Sequence, residues 1–138
     1  MSTSYNGRWV ILSLLAAAVV VGVLVFQKPK EIDEGRLVVV PALSAQAAKG
    51  QTAFNGTCAA CHGENAAGGP GGPSLVHAIY WERHHADGAI RLAVQRGVRA
   101  HHWGFGNMPP MGDKVSPQGV EDIIKFVREL QQANLTKN

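Results

Sequence analysis

Three features of the sequence predict an all-α chain, with one long apolar helix ahead of a small helical domain. Trp9 to Phe26 (WVILSLLAAAVVVGVLVF) contains no charge and a single hydroxyl. Beyond it, apolar residues recur at helical spacing in three stretches separated by segments rich in turn-forming residues. The only two cysteines stand in Cys58-Ala59-Ala60-Cys61-His62, with no strand-helix-strand pattern before them.

The apolar run, residues 9–26, has 18 residues, and as a helix it spans about 27 Å, enough to cross a bilayer. Trp9 and Phe26 bracket it, with Tyr5 just outside, as interfacial aromatics would. Arg8 ahead of an apolar stretch is also the pattern of a cleaved secretory signal. The run is long for that role, and the small-x-small triplet Ala45-Gln46-Ala47 lies about twenty residues too far downstream. The expectation is a retained single-pass signal-anchor at 9–26 that leaves residues 1–8 in the cytoplasm. The basic residues disagree: Lys28, Lys30 and Arg36 outnumber Arg8 and weakly favour a cytoplasmic carboxyl end.

Residues 27–44 read as a tether. Lys28-Pro29-Lys30-Glu31 and Asp33-Glu34-Gly35 are charged and turn-rich, and Leu37 to Val40 before Pro41 is a short extended apolar piece. That piece is either plain linker or a segment that docks on the following domain or on a partner. The domain occupies 45–138. Ser44 or Ala45 opens a first helix, with Ala47, Gly50, Gln51 and Phe54 at helical spacing and Gly56 as its stop.

Cys58-x-x-Cys61-His62 then predicts covalent attachment of one haem c per chain. Two thiols one helical turn apart can each add to one vinyl group on a haem edge, and the next residue's imidazole reaches the iron from the same side. A thioredoxin-like dithiol would need the missing strand-helix-strand context, and a zinc site would need a second cysteine pair. A domain of about ninety residues struggles to bury enough apolar surface alone, so an apolar cofactor at its centre also accounts for its size. The glycine-rich loop Gly63 to Gly72 lacks the Gly-Lys-Ser/Thr ending of a phosphate cradle.

Asp87 is positioned to cap a helix from Gly88 to about Arg96, with Ile90, Ala93 and Val94 on one face and Gly97 closing it. Paired histidines flank it, His84-His85 before and His101-His102 after. Neighbours on a helix point apart, so neither pair is a metal clamp by itself. A copper or zinc site across both pairs is chemically possible, although no carboxylate or thiol at ligand spacing accompanies them. His77, His84 and His85 are expected on surface loops, and His101 and His102 near the haem edge. Arg91, Arg99, Trp81 and Trp103 are candidates to meet the haem propionates. Ser116 caps and Pro117 opens a last helix. Its apolar face is Val120, Ile123, Ile124, Val127 and Leu130 with Phe126 beside them, and Glu121, Asp122, Lys125, Arg128 and Glu129 take the wet side.

From Ala47 onward there are nine Lys/Arg and seven Asp/Glu, a surplus of two that the haem propionates would cancel. With no basic stripe and no interleaved aromatics, the basic pI does not license nucleic-acid binding, and no nucleic-acid partner is expected.

Gly50-x-x-x-Phe54 ahead of CAACHG, Gly72-Pro73-Ser74-Leu75 after it, and Met108-Pro109 before an amphipathic last helix resemble the class I cytochrome c family over roughly residues 45 to 133. The resemblance implies that the first and last helices cross, with Gly50 and Phe126 in the contact. It implies that the Pro73 carbonyl accepts the second ring N–H of His62, with Pro70 as the alternative. It implies Met108 as the sixth iron ligand, with Met111 or a histidine as alternatives; a thioether favours reduced iron and suits an electron carrier. It also implies that the haem domain lies in the periplasm at a bacterial inner membrane, overriding the basic-residue count.

The function so implied is electron transfer, not catalysis on a substrate. The expected partners are a quinol-cytochrome c oxidoreductase or a dehydrogenase as donor and a haem-copper oxidase as acceptor. Alternatives are a fixed haem subunit of a larger dehydrogenase or oxidase, and a haem enzyme or gas sensor with an open iron position.

Overall fold

The computed structural model describes Leu12, Leu14 and residues 37–135. The chain divides into two compact units, Met1–Glu31 and Ile32–Asn138. In the first, Leu12 and Leu14 are helical and exposed. The expected anchor otherwise lies outside the described residues, as do residues 1–8 and 27–36. Among the described residues, no helix is long and apolar enough to cross a membrane.

The second unit is helical. Its elements are α1 (Ala45–Thr57), α2 (Ala59–His62), α3 (Asp87–Arg96) and α4 (Pro117–Leu135), with single 3-10 turns at Glu64–Ala66 and Ala78–Tyr80. Ser44 caps α1, its hydroxyl accepting from the Ala47 N–H at 3.2 Å. Gly56 does not stop the helix; α1 runs one residue beyond it, and the Cys58 N–H closes it on the Phe54 carbonyl. At α4, the Ser116 hydroxyl accepts from the Gly119 N–H at 3.1 Å, and Pro117 occupies the first helical position, where no N–H is required.

The main core forms where α1 packs on α4. Phe54 on α1 and Phe126 on α4 meet at 5.7 Å between ring centroids with planes tilted by 55°, and both are buried. Ala47, Ile123, Val127 and Leu130 complete the interface, with Ala66 and Val76 brought in from the loops. Val94, Val120 and Ile124 form a second cluster, against which Ile90, Met111 and Val115 pack. Gly50 permits the close crossing, but its neighbour is the backbone of Asp122 and Ile123, one turn ahead of Phe126.

A Cβ at Gly50 would overlap the Asp122 carbonyl, and neither rigid backbone can yield. Gly50→Ala is therefore expected to cost about 3 kcal/mol through overpacking. At Gly56, in the same helix, nothing lies within 4 Å of an added Cβ, so Gly56→Ala should be neutral or stabilise by up to about 1 kcal/mol. Urea midpoints of the two variants, at unchanged slope, check the contrast.

Residues 37–44, before α1, lie along α4. The Val39 N–H donates to Asn134 Oδ1 at 3.0 Å, and Asn134 Nδ2 donates to the Val39 carbonyl at 2.9 Å. Val38 and Leu43 pack on the main core, and Ser44 donates from its N–H and hydroxyl to the Glu129 carboxylate. Leu37 is exposed.

Two charges do not sit where periodicity puts them. Asp87 is the first residue of α3 and makes no cap. Its carboxylate instead accepts from Arg128 Nε at 2.9 Å, and Ala86 holds the cap position. Arg128 is not on the wet side of α4. Its side chain is mostly buried and donates also to the carbonyls of Tyr80 and His85 and to Gln131 Oε1. Buried Gln131 donates in turn to the Leu75 and Tyr80 carbonyls. These two side chains satisfy backbone groups of the irregular 75–86 segment, which has no ladder of its own to pair in.

Candidate haem site

Phe54 and Cys58 at the end of α1, His62 at the end of α2, Ile123 and Val127 of α4, and the 97–108 loop enclose an apolar cleft of about 530 Å³. Of the sequence-predicted site residues, Cys58, His62, Pro73 and Met108 line it together. Cys61 and Met111 do not. Cys61 is exposed, one turn along from Cys58. Met111 packs on the Val94–Val120–Ile124 cluster, and its N–H donates to the Val94 carbonyl at 2.7 Å.

His62 is fixed from behind. Its Nδ1–H donates to the Pro73 carbonyl at 2.9 Å, because a carbonyl can only accept. That assigns the lone pair of the neutral ring to Nε2, the nitrogen an iron would take, and strengthens it as a donor. Burial lowers the pKa of His62, outweighing the opposing effect of the Pro73 bond, so the ring is held in the neutral, ligating form. The Cys58 thiol is pushed up to about 11 by burial and then by the neighbouring Cys61. It therefore sits in the cleft as a protonated thiol.

The loop between the motif and Pro73 is braced by side-chain amides. Asn65 adopts a left-handed conformation (φ 52°), with its N–H on Asn55 Oδ1 at 3.0 Å. Its Oδ1 accepts from Gln51 Nε2 and Asn55 Nδ2. The Ala66 carbonyl then accepts from the Leu75 N–H and from the buried Ser74 hydroxyl, which fixes the strip carrying Pro73.

Met108 is held by its backbone. Val98 and Met108 form an isolated antiparallel bridge, with N–H to carbonyl distances of 2.9 and 3.0 Å. The bridge starts directly after Gly97, which has φ 73° and presses on the Met108 carbonyl so closely that a Cβ would overlap it. Asn107 Oδ1 accepts from the Ala100 N–H at 2.9 Å and closes the loop.

Donors at the cleft differ in part from those expected. Arg99 and Trp103 line it, whereas Arg91 is bound in both arms by Glu121, and Trp81 is not part of the wall. The Trp81 indole N–H is buried without a partner among the described residues. Tyr80, missed in the sequence, also lines the cleft. Its hydroxyl accepts from Trp103 Nε1 at 2.7 Å, which leaves its own O–H free to donate. His85, expected on the surface, lines the cleft with His101 and His102. No short-range signal in the sequence predicts the placement of Tyr80 or His85 there.

A porphyrin fits this set of groups: an apolar slot, a thiol at one edge, one neutral imidazole with a fixed tautomer, one thioether, and O–H and guanidinium donors at the wall.

The family model described as Cytochrome c matches residues 47–131. Two curated relatives are similar, both described as cbb3-type cytochrome c oxidase subunit FixP. The one from Rhizobium meliloti (strain 1021) is 36% identical over 87 residues, and the one from Sinorhizobium medicae (strain WSM419) is 34% identical over 87 residues. In each case the alignment covers 61% of this chain and 30% of the relative. No solved structure matches.

Proposed function

Because this chain belongs to the cytochrome c family, we propose that it is a membrane-anchored carrier of single electrons at the periplasmic face of a bacterial inner membrane. One haem c would be held there, covalently by Cys58 and Cys61 and at its iron by His62 and Met108. The observation that carries this reading is the convergence of Cys58, His62 and Met108 on one apolar cleft. When bound, the haem supplies a one-electron couple at its iron.

The protein's part is to hold and to exclude. Pro73 keeps the Nδ1 proton of His62, so Nε2 would be left to hold the iron. The Val98 bridge fixes the Met108 backbone at the cleft, and a haem held by both His62 and Met108 would leave no site for substrate. Phe54, Leu75, Ile123 and Val127 exclude water, and Tyr80 and Arg99 are available to the propionates. Residues 9–26 are the anchor, with the domain translocated.

A second reading is favoured by the similarity to oxidase subunits: the same domain works as a fixed haem subunit of a cbb3-type cytochrome c oxidase, so that a haem-copper oxidase is the acceptor. Membranes of the native host, fractionated and gently solubilised, test both. The haem-bearing chain is expected in the membrane fraction, with a reversible one-electron titration and no carbon monoxide binding in its reduced form. Migration alone supports the carrier and co-migration with an oxidase supports the subunit. Recovery in the soluble fraction rejects the anchor, and carbon monoxide binding by the native protein rejects six-coordinate iron.

A further inference from the structure

The two histidine pairs flanking α3, which sequence spacing alone cannot join, meet in space. His85, His101 and His102 each bring one ring nitrogen within 4.8 Å of the others. The His101 and His102 rings lie 4.1 Å apart between centroids, and the His85 and His102 rings 5.7 Å apart. Ligands held at about 2.0–2.1 Å around a tetrahedral ion sit roughly 3.4 Å from one another, so ring rotations on the order of 1 Å would close the set. His101 and His102 are exposed and free to make that adjustment.

Two of the three rings are already prepared as ligands. His85 Nδ1 bonds the Ile79 carbonyl, and His101 Nδ1 bonds the Arg99 carbonyl at 2.8 Å. A carbonyl only accepts, so each Nδ1 carries the proton and each Nε2 keeps its lone pair. This is the arrangement by which a metal-binding imidazole is commonly oriented. The His85 backbone is itself pinned, its carbonyl accepting from Arg128 Nη2 at 2.6 Å. His102 has no hydrogen-bond partner recorded on either ring nitrogen among the described residues. No carboxylate or thiol joins the group.

We propose that His85, His101 and His102 form a second metal site, a three-imidazole site for a divalent first-row cation of the zinc or copper kind, at the wall of the haem cleft. Neutral nitrogen donors select such ions over magnesium or calcium, which take oxygen ligands. Three protein ligands leave a fourth position for water. Because all three residues also line the cleft, a bound dication adds positive charge beside the redox group and favours its reduced state.

The test uses the full-length holoprotein, stripped with a chelator and titrated calorimetrically with zinc chloride. One zinc per chain is expected, with X-ray absorption at the zinc edge showing three imidazole nitrogens. His85→Ala, His101→Ala and His102→Ala are each expected to weaken binding about tenfold or more. His77→Asn, which keeps a side-chain acceptor for the Ile79 N–H, should leave it unchanged. The midpoint potential should rise with zinc in the parent and stay put in His102→Ala. Absence of saturable binding by the parent overturns the site, as do fewer than three imidazoles at the zinc edge. Equal weakening by His77→Asn also overturns it, and so does a change in the haem absorption bands of any single variant, which would put that ring on the iron. A parent potential indifferent to zinc overturns the coupling.

Discussion

Replacing Cys58 and Cys61 together by serine is expected to yield a polypeptide with no porphyrin adduct in denaturing mass spectrometry, from a host that matures c-type cytochromes normally. Each single serine variant should keep one link. The fold should suffer with the chemistry. A cleft of about 530 Å³ lined by Phe54, Leu75, Ile123 and Val127 offers a haem a large apolar surface for a domain of this size, and a group that binds only the native state stabilises it by mass action. Far-ultraviolet circular dichroism of the double variant is therefore expected to show most of the helix signal lost. Haem that survives denaturation in the double variant would show that these thiols are not its attachment points.

Met108→Ala is expected to lower the midpoint potential by on the order of a hundred millivolts or more and to abolish the thioether-to-iron absorption band of the oxidised protein. With Met108 as the ligand, loss of its thioether would open the iron to water or carbon monoxide, or to a neighbouring imidazole. Met111→Ala should leave both spectrum and potential in place and cost about 1–2 kcal/mol of stability, because its side chain packs on Val94, Val120 and Ile124. Redox titration of the two variants beside the parent checks both, and the reverse outcome would make Met111 the ligand.

What could be read in advance was what depends on residues close in sequence. The Cys58 to His62 spacing, the cap at Ser116, the first helix's start at Ser44 or Ala45 and the apolar face of α4 are local devices. Each is written in residues a few positions apart, which is why it is legible without tertiary contacts. Gly50 could be placed at a helix crossing, but its contact with the Asp122 backbone rather than Phe126 depends on how deeply the helices interlock.

Apart from Gly56, which fails as a stop within its own helix, the misses are long-range. A helical wheel puts Arg128 with the charged residues, but its guanidinium reaches past the helix surface to three oxygen acceptors that lie more than forty residues earlier. Asp87 satisfies every local rule for a cap and is taken instead by that same arginine. Arg91 looked free for a propionate until Glu121 was brought opposite it. The convergence of His85 with His101 and His102 arises because α3 ends at Gly97 and the chain turns back along the Val98–Met108 bridge.

The paired hydrogen bonds between Val39 and Asn134 bring the segment that enters α1 and the last turn of α4 side by side. A body whose way in and way out are neighbours can be spliced between other segments, or re-opened elsewhere as a circular permutant, without tearing its interior. Such a layout suits insertion into a longer chain, in keeping with an alignment that covers 30% of each oxidase-subunit relative.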